Sequence, residues 1–415
     1  MTKTMTHGSS ALALDYDVPS TPIPATTSLA PLLSFPIVEK PVSPSYSKDD
    51  AGKYFSNPSD MLTFLEERED NAKWIIGANI RSLSVMLVED ACIIHNAVPD
   101  EIFLDTAKNT GLVLQGEYLP QTALRSCAIS SLQERAKISG AALGKVSKKV
   151  LRNILNDCLD VAPKKAVSKI RIADGKISAV LSSEYVPLPM PEIFEAAIDY
   201  IDKRFPNNAF AGGMWSHIIT SAEWQLSGEN ELIAAYKEAL TKHGIEHDGI
   251  QPGLRLSSSD IGVSGVNLMP KLVVGKDRLL LPLGGPIGLE HKGEAKMSKF
   301  MENLEGVFAQ YGDRLSKLAK LLDVGIAYPK GCMKGVLKRL GIPKKYSEAT
   351  LEVFAWGFSD DEGCTAHDIY YGLGNLMLQL QGNKATGEQV LRMEETIAKA
   401  ITLNFSEYDR PCDDE

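Results

Sequence analysis

Two stretches of basic side chains offer the clearest chemistry in this sequence. Lys145, Lys148, Lys149, Arg152, Lys164, Lys165, Lys169 and Arg171 fall within one short span, and Lys330, Lys334, Lys338, Arg339, Lys344 and Lys345 form a second group. Cationic groups gathered on one accessible face neutralise phosphates and release counterions, which produces sequence-tolerant nucleic-acid binding. Residues 135–176 hold eleven Lys or Arg against three Asp or Glu, whereas residues 346–415 hold four against fourteen, so the positive field is concentrated mid-chain. Solvated helix faces balanced within one fold would give the same counts. Tyr185, Trp215 and Trp224 add stacking surfaces if they are exposed and core anchors if they are not.

Acid–base and metal chemistry have less support in the spacing. His243 and His247 are four apart, with Glu246 and Asp248 beside them, but Gly244 interrupts the helix that would align the two imidazoles. His217 with Glu223, and His367-Asp368 after Asp360, Asp361 and Glu362, each bring an imidazole and a carboxylate within one short segment. Such pairs move protons only when the fold converges them on a substrate. Ser257, Ser258, Ser259 and Asp260 precede a Gly-punctuated run through Gly262, Gly265, Gly284, Gly285 and Gly288, yet neither GxxxxGK[ST] nor GxGxxG occurs. No metal site, cofactor or catalytic residue is assigned from these patterns.

The elements that must position these groups read as an α+β fold of mixed helices and antiparallel β-hairpins, with an extended N-terminal arm. Residues 1–57 are a Pro-, Ser- and Thr-rich arm, residues 58–345 the main α+β region, and residues 346–415 an acidic, mainly helical region. Asn57-Pro58-Ser59-Asp60 marks a helix start. The apolar rhythm from Thr122 to Leu159 predicts two helices divided near Ser139-Gly140, the second showing Lys145, Lys148, Lys149 and Arg152 outward. Ala173-Asp174-Gly175-Lys176 predicts a tight hairpin turn, and Gly275-Lys276-Asp277 a second. Helices are expected over 192–205, 230–243, 296–322 and 387–403, with closely spaced strands after Gly253.

Bulk properties bound the class. The formal charge of -9 over 415 residues favours solubility without naming a partner. Six cysteines without a CxxC pair fit reduced thiols better than a disulfide framework. No apolar run reaches the length of a membrane helix, and the N-terminus lacks the basic and apolar segments of a secretion signal, so a cytoplasmic location without membrane contact is expected.

The segment Lys176-Ile177-Ser178-Ala179-Val180-Leu181-Ser182-Ser183-Glu184-Tyr185, followed by a helix near Glu192, carries a resemblance. With Leu254-Arg255-Leu256-Ser257-Ser258-Ser259-Asp260-Ile261-Gly262 and His291-Lys292-Gly293, it resembles a phage/plasmid-like protein family of unknown function over residues 130–345. The resemblance implies a mobile-element or viral context and supplies no catalytic constellation. The expectation is a non-enzymatic accessory protein that binds single- or double-stranded nucleic acid, as a homo-oligomer whose shared face concentrates charge. A structural or protein-interaction component of a virus or mobile element, and an enzyme acting on nucleic acid, are the alternatives.

Overall fold

The protein is described by a computed structural model over residues 44–95, 100–226, 230–246, 249–275, 279–293, 295–359, 362–383 and 385–412. Residues 1–43 of the expected arm, His247, Asp248, Lys276, Asp277, Asp360, Asp361 and the last acidic residues 413–415 lie outside the described residues.

The described chain opens with a single turn α1 (Pro44–Ser47), strand β1 (Gly52–Phe55) and helix α2 (Pro58–Asp70). There follow β2 (Lys73–Asn79), β3 (Ser84–Leu87), α3 (Val88–His95), α4 (Asp100–Lys108), β4 (Leu112–Gly116), β5 (Leu119–Leu124), α5 (Ser126–Arg135), α6 (Lys148–Asp160), β6 (Val167–Ala173) and β7 (Lys176–Ser182). Next come α7 (Met190–Arg204), β8 (Ala209–Ser216), β9 (Thr220–Gln225), α8 (Asn230–Lys242), β10 (Gln251–Ser258), β11 (Val266–Val274), β12 (Leu279–Pro282) and β13 (Ile287–Leu289). The remainder is mostly helical: α9 (Met297–Ala309), α10 (Tyr311–Lys320), β14 (Gly325–Ile326), α11 (Pro329–Leu340), α12 (Lys344–Ala355), β15 (Cys364–Thr365), α13 (Ala366–Gly372), α14 (Asn375–Gly382) and α15 (Gly387–Ala398).

The fold is α+β, with the expected antiparallel hairpins. One sheet is six-stranded in the order β2-β6-β7-β5-β4-β3, with β5 and β7 paired in parallel, and a second runs β1-β8-β9-β10-β11-β12, with β13 on β11. The β6–β7 hairpin turns where the sequence places Asp174-Gly175, both at positive φ (50° and 73°). That conformation is the reason for the Asp-Gly pair, since glycine alone enters it without a Cβ penalty. Asn57 caps α2 by accepting a hydrogen bond from Asp60 N, and Pro58 stands in its first turn, where no N–H is needed.

Two expectations need correction. Thr122–Leu124 belongs to strand β5, and the first helix begins only at Ser126. The long helix over 296–322 is two helices that meet at Gln310. The apolar stripe continues across that corner, so its periodicity hides the break. The turn lets the Tyr311 hydroxyl enter the second sheet, donating to Lys271 O (2.5 Å) and accepting from Gly253 N (3.1 Å).

In the six-stranded sheet, alternation assigns opposite jobs to the two faces. Ile170, Ile177 and Val180 face one side and pack with Ala128 and Leu132 of α5 and Leu155 and Leu159 of α6. A register shift beside Arg171–Ile172 leaves Ser178 as the extra residue, returning Ala179 and Leu181 to the other face. The second sheet buries Trp224, Leu254, Leu256 and Leu268 in one large apolar cluster. On that side α2 packs on β8, α7 and α8 pack on β10, and α9 packs on β11.

Candidate functional site

The sequence-predicted basic residues separate once they are folded. Lys145, Lys149, Lys164 and Lys165 are exposed, the first two at the start of α6 and the others in the loop after it. Arg81 and Lys137 are exposed as well, and the Ile80 N–H···O=C Ala166 bond (3.0 Å) brings the Arg81 turn beside the Lys164-Lys165 loop. Helix α6 has 13 residues, so its two ends stand roughly 20 Å apart. Ser147 caps its N-terminus through Val150 N, and the positive end of the helix dipole adds to Lys145 and Lys149.

The rest of that predicted cluster is committed elsewhere. Lys148 Nζ donates to Ala107 O near the C-terminal end of α4, where carbonyls are unpaired and a cation is favoured. Arg152 is half-buried between Asn153 Oδ1 and Asp90, the latter at 3.6 Å. Lys169 and Arg171 are two apart on β6 and alternate with Ile170, so they leave the face that α6 covers and point inward. Lys169 Nζ donates to Tyr185 O (2.6 Å), and burial lowers its pKa. Arg171, 2% exposed, is held by Asp260 at 2.9 Å and Glu69 at 3.1 Å. A single eight-residue face is therefore corrected to an outer group of lysines, with Lys169 and Arg171 on the inner face of the same sheet.

The second basic group lies on α11 and the start of α12. Cys332, Met333, Val336 and Leu337 are the buried stripe of α11, while Lys334, Lys338 and Arg339 are exposed. Lys330 is half-buried, and Lys344 and Lys345 are exposed, Lys344 meeting Glu348 at 3.4 Å and Lys345 donating to Asn383 Oδ1 at 3.1 Å. Of the proposed stacking residues, Tyr185, Trp215 and Trp224 are all buried.

Sequence reasoning missed a network of charges buried between the two sheets. Arg68 from α2 pairs with Asp174 of the hairpin turn. Arg125, between β5 and α5, lies 3.5 Å from Asp49 and 3.9 Å from Asp174. Lys176, the first residue of β7, donates to Asp49 (2.9 Å) and Asp105 (2.5 Å). Burial alone would raise the Asp105 pKa, but the Lys176 ammonium and its hydrogen bonds outweigh it and hold the carboxyl below its usual value. His217 Nε2 lies 2.8 Å from Arg125 Nη1 and 2.9 Å from Lys48 O, and the tautomer decides which contact it serves. Burial, with Arg125 and Arg68 nearby, drives its pKa well below the ordinary value, so the ring is neutral.

A second group of ion pairs, with Arg255, Lys271 and Glu394 buried, lies on the far face of the seven-stranded sheet. Arg255 meets Glu394 of α15, and Lys271 meets Glu223 at 2.7 Å. Alternation concealed it: Arg255 between Leu254 and Leu256 reads as a strand with one face open to water, whereas here Glu394 of α15 meets that face. Beside this group a groove of about 780 Å³ runs between the β1–β8–β9 edge and α15, lined by Tyr54, Gly212, Met214, Glu223, Val390 and Leu391.

Among the described residues, the proposed acid–base pairs do not assemble. His217 belongs to the Arg125 network, whereas Glu223 is paired with Lys271 on the other face of its sheet. His367 is buried with Nε2 2.7 Å from the Tyr236 hydroxyl, and Asp368 serves the Thr365 capping box. His243 lies 3.2 Å from Asp323. Among the described residues, no group of three or more His, Cys, Asp or Glu is placed to hold a metal ion. Ser259 Oγ donates to Ile218 O (2.7 Å), and Asp260 is the partner of Arg171, so this stretch joins the two sheets. No family model, curated protein or solved structure matches this chain.

Proposed function

We propose that this chain is a non-enzymatic nucleic-acid-binding accessory protein whose contact surface is the outer helical layer of the six-stranded sheet. The observation that carries the reading is the exposure of Lys145, Lys149, Lys164 and Lys165, with Arg81 beside the last two, while Lys148, Arg152, Lys169 and Arg171 are held by carboxylates or carbonyls. A span of roughly 20 Å corresponds to about six base-pair steps of duplex, so lysines at the two ends of α6 reach phosphates several nucleotides apart. With Tyr185, Trp215 and Trp224 buried, these rings offer no stacking surface, so phosphate contact sets the affinity and duplex and single strand are both bound with little sequence preference.

The test compares the full chain with a variant in which Lys145, Lys149, Lys164 and Lys165 are all Gln, by fluorescence anisotropy on labelled DNA and RNA across a salt series. Loss of four phosphate contacts flattens the slope of log affinity against log salt by about 3 to 4 on duplex. An unchanged slope, or no binding by the native chain at low salt, defeats the proposal. A triple Lys334→Gln, Lys338→Gln, Arg339→Gln variant reports separately on α11 and is expected to change the slope less.

A further inference from the structure

The buried network contains an anion that the protein supplies itself. Asp49 Oδ2 accepts hydrogen bonds from Ser126 N (2.8 Å) and Ser126 Oγ (2.6 Å) at the start of the ten-residue helix α5. Its Oδ1 accepts from Lys176 Nζ at 2.9 Å and lies 3.5 Å from Arg125 Nη1. A helix N-terminal N–H, a hydroxyl, an ammonium and a guanidinium converging on one point are the donors that hold oxyanions. The Lys176 and Arg125 side chains are 0% and 1% exposed, and Arg125 Nε makes no hydrogen bond among the described residues.

Charge counting gives this arrangement a direction. Arg68, Arg125 and Lys176 face Asp49, Asp105 and Asp174, so the cluster is neutral only while Asp49 is in place. Asp49 comes from the short link between α1 and β1, outside both sheets, whereas the three cations sit on α2, β7 and the β5–α5 junction. Withdrawing the link would leave one positive charge buried without a partner, which is strongly unfavourable. A singly charged oxyanion of another molecule restores the balance; a dianion overshoots it.

We propose that Arg125, Ser126 and Lys176 form an oxyanion-binding site, closed by Asp49 as an internal stand-in, which accepts a ligand presenting a singly charged oxyanion when residues 44–51 move aside. The site lies on the face of the six-stranded sheet opposite α6, so it is independent of the nucleic-acid surface described above.

Thermal melting of the full-length Asp49→Ala variant in formate, acetate or inorganic phosphate, against chloride at matched ionic strength, tests this. Asp49→Ala is expected to melt below the native chain and to regain part of the difference saturably with added oxyanion. The native chain is expected to show little shift, and Asp49→Ala/Lys176→Met no recovery. The ranking of formate, acetate and phosphate separates a carboxylate-sized site from a phosphate-sized one. Equal responses in the native chain and Asp49→Ala, or undiminished recovery in the double variant, overturn the proposal. Should Asp49→Ala fail to fold, hydrogen exchange of residues 44–55 in the native chain decides. Oxyanion must accelerate it relative to chloride, and an unchanged rate overturns the proposal.

Discussion

His217, His291 and His367 are buried imidazoles whose protonation the fold resists. Burial lowers all three: His217 well below its ordinary value with Arg125 and Arg68 reinforcing the effect, His291 and His367 to about 4. The folded state therefore binds fewer protons than the unfolded chain, and each histidine contributes its full stability only above the unfolded value near 6.5. That contribution is lost as pH falls from there toward the folded value, by roughly 2 kcal/mol for each of His291 and His367 between pH 7 and 5. Asp105 is also depressed and adds a loss at lower pH, as the medium falls through the ordinary carboxylate range. Urea unfolding at pH 7.5, 6 and 5 is expected to show a steep fall in stability over this interval. A profile flat to pH 5 would mean that these rings are solvated. None of the three roles was legible in the sequence, because a histidine beside a carboxylate looks the same whether it moves protons or accepts one hydrogen bond in a core.

At the scale of elements, local chemistry was the readable part. Asp174-Gly175 announced its turn, Asn57-Pro58 its helix, and the Ser139-Gly140 break the gap between α5 and α6, because each depends on a few neighbouring residues. Replacing Gly175 by Val tests the first. At φ 73° a side chain is strained by about 1–2 kcal/mol, and a Cβ there would also stand 2.5 Å from Ile102 Cδ1. Gly77, at φ 77° with nothing within 4 Å of its Cβ direction, is the matched control that suffers strain alone. Chemical denaturation is expected to show Gly175→Val as the more destabilised variant; equal losses would place Ile102 away from the turn. What depended on distant partners was not readable. The face to which β6 turns Lys169 and Arg171 is set by α5 and α6 packing on Ile170, and the carboxylates that hold Arg171 come from residues 69 and 260.

For the whole molecule, the two sheets use their cations differently. Between the sheets, buried arginines and lysines meet carboxylates drawn from distant parts of the chain. On the outside of the six-stranded sheet, lysines remain in solvent, where they contribute to the field and little to stability. Sequence counting sums both kinds of cation, so the excess over 135–176 overstated the accessible charge while still marking the region that carries it. Lysine modification with mass-spectrometric readout, in the presence and absence of DNA or RNA at low salt, separates the two kinds directly. The account predicts that Lys145, Lys149, Lys164 and Lys165 react freely in the unbound protein and become protected by nucleic acid, while Lys176 stays unreactive in both. Protection confined to Lys334 and Lys338, or no protection at any lysine, would contradict it.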